Sequence, residues 1–143
     1  MAAYATQRTV SLPRERAYES WLDGMNLLHR LEPERFREFR VLSQKDGERV
    51  TFCKEVWKGK TYAYTTREQL SRPSGATQTV IAGNGKGSVS RWTFEPVTNG
   101  TRIKVEHRLK GGMGLLLVLF RKEFAKEFEG ALDRWQKAIE AAS

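Results

Sequence analysis

Hydrophobic and polar residues alternate along the middle of the chain, between residues 35 and 110. Alternation with a period of two is typical of β-strands that have one buried face and one solvated face. The clearest strand has charged residues at the even positions from 102 to 110, and its inward positions are Thr101, Ile103, Val105, His107 and Leu109. This part of the sequence therefore predicts a sheet with one apolar face.

Turn signals divide the same region into six strands that are joined as a meander. Each signal contains glycine, asparagine or proline, which favour the backbone conformations that tight turns need. The signals are Asp46-Gly47, Lys58-Gly59-Lys60, Pro73-Ser74-Gly75, Gly83-Asn84-Gly85 and Asn99-Gly100. Consecutive strands that are joined by such short turns are antiparallel neighbours.

The period becomes helical after Gly111-Gly112. The spacing predicts one long amphipathic helix from Leu115 to Ala142, which lies across one face of the sheet because only one of its own faces is apolar. The apolar face is formed by Phe120, Phe124, Phe128, Ala131, Trp135, Ala138 and Ile139. Gly130 costs this helix about 1 kcal/mol relative to alanine, so we expect the sheet or a ligand to approach it closely.

The beginning of the chain completes an α+β fold. Thr6 to Leu12 predicts a first strand, Pro13 to Asp23 a helix, and Met25 to Arg30 a second short helix. We therefore expect an antiparallel sheet of six to seven strands that wraps around the long C-terminal helix. The length of 143 residues suits one domain that covers 1–143.

A sheet that wraps around one helix is concave, and concave apolar sites are where small ligands usually bind. Both predicted inner surfaces are rich in aromatic residues, which either pack solidly or line a space. The order of strand, helices, meander and terminal helix favours a cavity. The predicted lining residues are Tyr62, Tyr64, Trp92, Phe94, His107, Phe124, Phe128 and Trp135.

Composition and net charge exclude few classes of function. The chain is 39% hydrophobic and 29% charged, which is ordinary for a folded domain, and its formal net charge is +8. A positive charge permits attraction to nucleic acid or to anionic lipid, but it says nothing about the fold. Arg35, Arg37 and Arg40 lie near Phe36 and Phe39, so nucleic-acid binding is one alternative. A solvated strand at the edge of the sheet explains these arginines more simply.

The compartment is predicted from what the sequence lacks. The single cysteine, Cys53, cannot form an intrachain disulfide. The first twelve residues have no continuous apolar stretch that would suit an export signal. The longest apolar run, Met113 to Phe120, is far shorter than the roughly 20 residues that span a bilayer. We therefore expect a cytoplasmic protein.

The arrangement resembles the START-like, or helix-grip, superfamily, also called SRPBCC, over essentially the whole chain. The segments that carry the resemblance are Val10-Ser11-Leu12-Pro13 with the helix that ends at Asp23, residues 87–96 with Asn99-Gly100-Thr101, and Gly114-Leu115-Leu116. They are similar to the polyketide cyclase/dehydrase-like and coenzyme-Q-binding branch. The resemblance implies a site for a hydrophobic small molecule or lipid between sheet and helix. It implies no single reaction, because members bind lipids, quinones, hormones or polyketides and only some are catalysts.

The residues offer few candidates for catalysis. His107 faces inward and is a weak candidate for an acid–base group, although a histidine that is satisfied within the core explains it better. Glu55 is a possible general base only if it faces inward, and the strand pattern around it is ambiguous. We predict no metal site, because two histidines and one cysteine show no ligand spacing. We also predict no cofactor.

The apolar run from Met113 to Phe120 is flanked by Lys110 and by Arg121-Lys122. It is either the first turns of the long helix over the cavity mouth or a segment that enters a membrane interface. Our preferred function is a binding or carrier domain for a lipid, quinone or polyketide-like molecule. A polyketide cyclase or dehydratase is the alternative, and a basic protein that interacts with nucleic acid is the second alternative.

Overall fold

A seven-stranded antiparallel sheet and four helices make up the computed structural model, which describes residues 2–142. In chain order the elements are β1 (Ala2–Val10), α1 (Arg14–Leu22), α2 (Gly24–Leu31), β2 (Phe36–Lys45), β3 (Glu48–Trp57), β4 (Lys60–Ser71), β5 (Gly75–Gly83), β6 (Val89–Val97), β7 (Gly100–Leu109), α3 (Gly111–Leu119) and α4 (Arg121–Ala141). The strand order is β1-β7-β6-β5-β4-β3-β2. The predicted α+β fold, with its six-stranded meander, added first strand and two short helices, is confirmed.

The register of β7 shows how the alternating pattern becomes a buried face. This strand pairs with β6 on one side and with β1 on the other. Its odd-numbered residues from 101 to 109, which the sequence places inward, are all buried. Its even-numbered charged residues lie on the convex face and form ion pairs there, such as Lys104 with Glu95.

The hydrophobic core lies at one end of the sheet. There α1 and α2 pack with the C-terminal half of α4 against β1, β6 and β7. Tyr18, Phe94 and Val10 are among its largest fully buried side chains. The hydroxyl of Tyr18 donates a hydrogen bond of 2.8 Å to the carbonyl oxygen of Gly75, so this buried polar group has a partner.

The predicted single helix from Leu115 to Ala142 is wrong, because the structure has two helices with Phe120 between them. Phe120 has φ −127° and ψ 43°, which lie outside the helical region. The two helices pack on different surfaces: α3 covers the ends of β1 and β7, where Leu117 is buried, while α4 crosses the sheet. The apolar spacing hides this break, because Phe120 fits the pattern of one continuous helix.

Ion pairs hold α4 along both of its sides. On the β1 side, Arg8 lies 2.7 Å from Glu129 and 2.9 Å from Asp133. On the opposite side, Arg35, just before β2, lies 2.9 Å from Glu127. The helix is therefore fixed to both margins of the curved sheet.

The close approach that we expected at Gly130 is absent. A Cβ atom at this position would come within 4 Å of one described side chain, that of Arg134, at 3.1 Å from its guanidinium. This group is the flexible end of a side chain on the same helix. Neither the sheet nor the cavity therefore requires glycine here.

Within residues 2–142, no helix is both long enough and apolar enough to cross a membrane.

Two glycines of α3 provide a test of how tightly this helix is seated. A Cβ at Gly114 would lie 2.7 Å from the backbone carbonyl oxygen of Leu109, whereas no described atom lies within 4 Å of one at Gly112. We expect Gly114→Ala to lower the free energy of unfolding by about 1–3 kcal/mol, because the helix must shift. Gly112→Ala should leave it unchanged or raise it by up to about 1 kcal/mol. Urea unfolding measures both variants, and equal effects would contradict the observed seating.

Candidate functional site

A cavity of about 300 Å³ lies between the concave face of the sheet and the helices. Its volume is at the lower end of the range that is usual for small-molecule sites, about 300–1,000 Å³. All four tryptophans of the sequence line it within the described chain, and they are Trp21, Trp57, Trp92 and Trp135. The helix side of the wall is mainly aromatic and aliphatic, with Phe124, Phe128 and Leu132 facing the space.

Seven of the eight residues that the sequence proposes for the lining lie in this wall, counted over residues 2–142. They are Tyr62, Tyr64, Trp92, His107, Phe124, Phe128 and Trp135. Phe94 does not, and this part of the prediction is wrong. Its ring is 1% exposed and packs at 5.0 Å from Tyr18 and 5.8 Å from Trp21, measured between ring centroids. Phe94 shares a strand face with Trp92, but it lies two residues further along, where α1 covers the sheet.

The sheet side of the wall is polar. The structure shows which residues of β3 face inward, a point that the sequence pattern leaves ambiguous. The odd-numbered residues of this strand face the cavity, among them Arg49, Thr51, Cys53 and Glu55. Hydrophobicity alone points to the other face, which carries Val50 and Phe52. The short turn at 58–59 does indicate which residues of β3 face the cavity. This turn sets Glu55 opposite Tyr62 and Cys53 opposite Tyr64, so the tyrosines and these polar residues must share a face.

A chain of hydrogen bonds connects the polar groups of this wall. The buried Arg49 and Glu68 form an ion pair, and Arg49 also donates to the carbonyl oxygen of Leu22 at 2.8 Å. Glu68 accepts a hydrogen bond of 2.7 Å from Gln78, whose own amide oxygen accepts one of 2.7 Å from the indole of Trp92. Sequence reasoning missed Arg49, Glu68 and Gln78. Buried charges need such partners, because an unpaired charge inside a protein is strongly unfavourable.

A second polar group lies further along β3 and β4. The hydroxyl of Tyr64 donates a hydrogen bond of 3.2 Å to Oε1 of Glu55. Burial raises the pKa of the Glu55 carboxyl, and the Tyr64 hydrogen bond and the charge of Arg35 oppose this shift. Burial also raises the pKa of the Cys53 thiol to about 12. The thiol therefore stays protonated at neutral pH and is a poor nucleophile.

His107 is buried among aromatic rings. The centroid of the Phe128 ring lies 4.6 Å from that of the imidazole, in an edge-to-face arrangement. The Nδ1 atom lies 2.6 Å from Oγ of Ser90, while Nε2 is buried without a hydrogen-bond partner among the described residues. Burial lowers the pKa of His107 to about 4, so the imidazole is neutral at pH 7.

Solved structures with a similar architecture match nearly the whole chain. The protein TTHA0849 from Thermus thermophilus has a TM-score of 0.80 and 19% sequence identity, and the match covers 99% of each chain. A START superfamily protein from Mycobacterium smegmatis has a TM-score of 0.75 and 14% identity over 100% of each chain. The chain has the START-like, helix-grip fold. The Zhui aromatase/cyclase from Streptomyces sp. R1128 has the same fold, with a TM-score of 0.70 and 15% identity over 99% of this chain and 97% of its own. No protein-family model and no curated protein matches the sequence.

These identities establish the START-like fold alone, so the chemistry must be argued from the wall of the cavity. The wall offers aromatic faces, a fixed polar network and two further hydrogen-bonding groups: the Glu55 carboxyl, whose pKa burial raises, and the neutral imidazole of His107. Among the described residues, no three His, Cys, Asp or Glu side chains come together in a way that could hold a metal ion. Of the three arginines considered for nucleic acid, Arg35 and Arg40 are in ion pairs with glutamates.

The buried imidazole of this START-like fold predicts how stability depends on pH. The pKa of His107 is about 4 in the folded chain, against 6.5 for an unperturbed histidine. Between these values the unfolded chain binds a proton that the folded chain does not, so the free energy of unfolding falls as the pH falls from 6.5 to 4. The share of His107 in this fall is about 3 kcal/mol.

Replacement of the imidazole tests this dependence. In His107→Gln, urea unfolding at several pH values should show a shallower decline between pH 6.5 and pH 4 than in the unmodified protein. Parallel curves for the two proteins would mean that His107 is not the titrating group.

Proposed function

We propose that the protein binds or carries a small hydrophobic or aromatic molecule in the cavity between the sheet and α4. The observation that carries the proposal is the contrast between the two sides of the wall. Aromatic rings on the helix side face a polar sheet on which Arg49, Glu68 and Gln78 are joined to one another by hydrogen bonds. Such a wall keeps its shape without a ligand, which is typical of a preformed binding site.

The size and shape of the space favour a compact molecule that contains rings. A volume of about 300 Å³ is small for a ligand site. Trp92 lies between Trp21, at 5.4 Å, and Phe128, at 6.3 Å, measured between ring centroids. Flat rings of a ligand can pack against these faces with offset or edge-to-face geometry. Among the candidate ligand classes, this favours a quinone or a polyketide-like molecule over a long-chain lipid.

Filling the cavity provides the test. Thr66 faces the cavity from the middle of β4, so Thr66→Phe should occupy the space and weaken binding of 2-isopropylnaphthalene by at least about tenfold. The matched control is Thr65→Phe, which places the same ring on the convex face of the same strand. Binding is followed by the four indole N–H signals in a ¹H–¹⁵N spectrum, because every tryptophan lines the cavity. Equal affinities for the two variants, or no saturable shifts in the unmodified protein, would contradict the proposal.

A polyketide cyclase or dehydratase is the second candidate function, with His107 as its acid–base group. The observation in its favour is that the imidazole lines the cavity and that its Nε2 has no hydrogen-bond partner within the described chain. His107→Ala separates the two functions when the protein is given a synthetic linear β-triketone. Loss of conversion with retained binding supports the enzyme, whereas equal losses support a carrier.

Peripheral contact with a membrane, through the segment from Met113 to Phe120, is the route by which the ligand reaches the cavity in this proposal. The two sides of α3 differ in exposure but both are apolar. Met113 and Leu116 line the cavity, while Leu115, Val118 and Leu119 are 58%, 64% and 62% exposed.

Basic side chains surround the exposed side of α3. Lys110 precedes the helix, Arg121 and Lys122 follow it, and all three are exposed. Lys58 lies 4.7 Å from the ring of Phe120 and adds a further positive charge. An apolar strip that is flanked by cations suits the interface of an anionic bilayer. The strip also adjoins the cavity wall, which a transfer route requires.

Vesicle flotation tests this contact. We expect the protein to float with vesicles of phosphatidylcholine and phosphatidylserine, and less so with phosphatidylcholine alone. Val118→Glu should lower the bound fraction severalfold, because a charge in the apolar strip is unfavourable in the interface. Leu42→Glu is the control, since Leu42 is also an exposed leucine, at 50%, but lies on β2. Equal loss in both variants, or equal flotation with both lipid mixtures, would remove the membrane contact from the proposal.

A further inference from the structure

All the charged side chains in the cavity wall except one form ion pairs with one another. Over the described residues, the charged side chains of the wall are Arg35, Arg49, Glu55, Glu68 and Glu127. Arg49 pairs with Glu68, and Arg35 pairs with Glu127 at 2.9 Å. This leaves Glu55 without a basic partner. A carboxyl group in such a place is unfavourable unless it is neutral or a ligand compensates it.

One oxygen of Glu55 is occupied and the other is available. Oε1 accepts the hydrogen bond from the hydroxyl of Tyr64. Oε2 has no hydrogen-bond partner within residues 2–142, and Glu55 is part of the cavity wall. Burial raises the pKa of this carboxyl. The neutral form that burial favours carries a proton on Oε2 while Oε1 accepts from Tyr64.

Aromatic rings lie on both sides of this carboxyl. In the sheet, Glu55 is directly opposite Phe36 of β2 and directly opposite Tyr62 of β4. Side chains that are opposite one another on adjacent strands are in contact range. Both rings line the cavity. A flat ligand that packs against either ring therefore lies beside the Glu55 carboxyl.

We propose that Glu55 is a ligand-recognition group, positioned by Tyr64, which in its neutral form donates a hydrogen bond to a carbonyl oxygen of an aromatic ligand. This deepens the proposed function and rests on it, since it names the class of ligand: aryl ketones and quinones. A cationic ligand would require the ionised carboxylate, which burial disfavours, and would also meet the nearby positive charge of Arg35. An anionic ligand would lose its hydration in a wall whose two arginines, Arg35 and Arg49, are already paired with glutamates.

Three probes of nearly equal shape separate these possibilities. They are 2-acetylnaphthalene, 2-isopropylnaphthalene and 1-(2-naphthyl)ethylamine, which carry a carbonyl, a hydrocarbon and an ammonium group at the same position. Isothermal titration at pH 5, where the raised pKa favours the neutral carboxyl more than at pH 7, should show the ketone binding roughly three- to tenfold more tightly than the hydrocarbon, which corresponds to one net hydrogen bond. The amine should bind most weakly.

Variants assign the preference to Glu55. In Glu55→Met the ketone and hydrocarbon should bind equally, because the hydrogen-bond donor is lost. Glu55→Gln keeps a donor and should keep most of the preference. Tyr64→Phe should reduce the ratio of ketone to hydrocarbon affinity, but by less than Glu55→Met does, as expected for a positioning residue. Lys54→Met is the control, because Lys54 is the neighbour of Glu55 on the convex face of the same strand.

Each outcome bears on a different part of the inference. A preference for the ketone that Glu55→Met abolishes and Lys54→Met retains supports it. Equal binding of ketone and hydrocarbon to the unmodified protein overturns it but leaves the binding function standing, as does tightest binding of the amine. Failure of all three probes to bind overturns both the inference and the proposed function.

Discussion

The buried ion pair between Arg49 and Glu68 is the constraint on which the cavity depends. Both side chains lie on the concave face of the sheet, and both have further partners there, the carbonyl oxygen of Leu22 and the amide of Gln78. An apolar helix face that pressed onto these groups would offer them no additional hydrogen bond. This half of the sheet is therefore a poor packing surface for α4, and the apolar core forms beside it, around Tyr18.

A helix that does not pack solidly on half of its sheet needs support elsewhere. Arg8 provides it from β1 through Glu129 and Asp133, and Arg35 provides it from the opposite margin through Glu127. Isolated ion pairs on a surface contribute little, but the side chain of Arg8 is nearly buried, at 11% exposure, and contacts two acids. These contacts hold α4 over the space without filling it. The helix therefore spans the cavity and is attached to the sheet at both margins.

The sequence predicts the order of the strands and helices better than it predicts which residues face the cavity. The alternation over residues 101–109 determines the inward face of β7, because charged and apolar residues there are cleanly separated. The break at Phe120 is not predictable from spacing, since the same residue suits one helix or two. The inward face of β3 is left open by the sequence, because apolar Val50 and Phe52 lie outward while Glu55 lies inward. Hydrophobic pattern finds the core, but a ligand cavity is partly defined by polar residues that face inward.

Trp92 shows how the polar and apolar sides of the wall act on one another. Its indole N–H ends the hydrogen-bond chain that begins at Arg49, and its ring packs between Trp21 and Phe128 in the aromatic wall. A ligand that displaced this ring would break the hydrogen bond to Gln78 and leave buried polar atoms without partners, which is unfavourable by about 1–3 kcal/mol. The ring is therefore held in place from the sheet side. The fixed position of Trp92 then limits which ring shapes fit beside it, so the ion pair that keeps the cavity open also determines its shape.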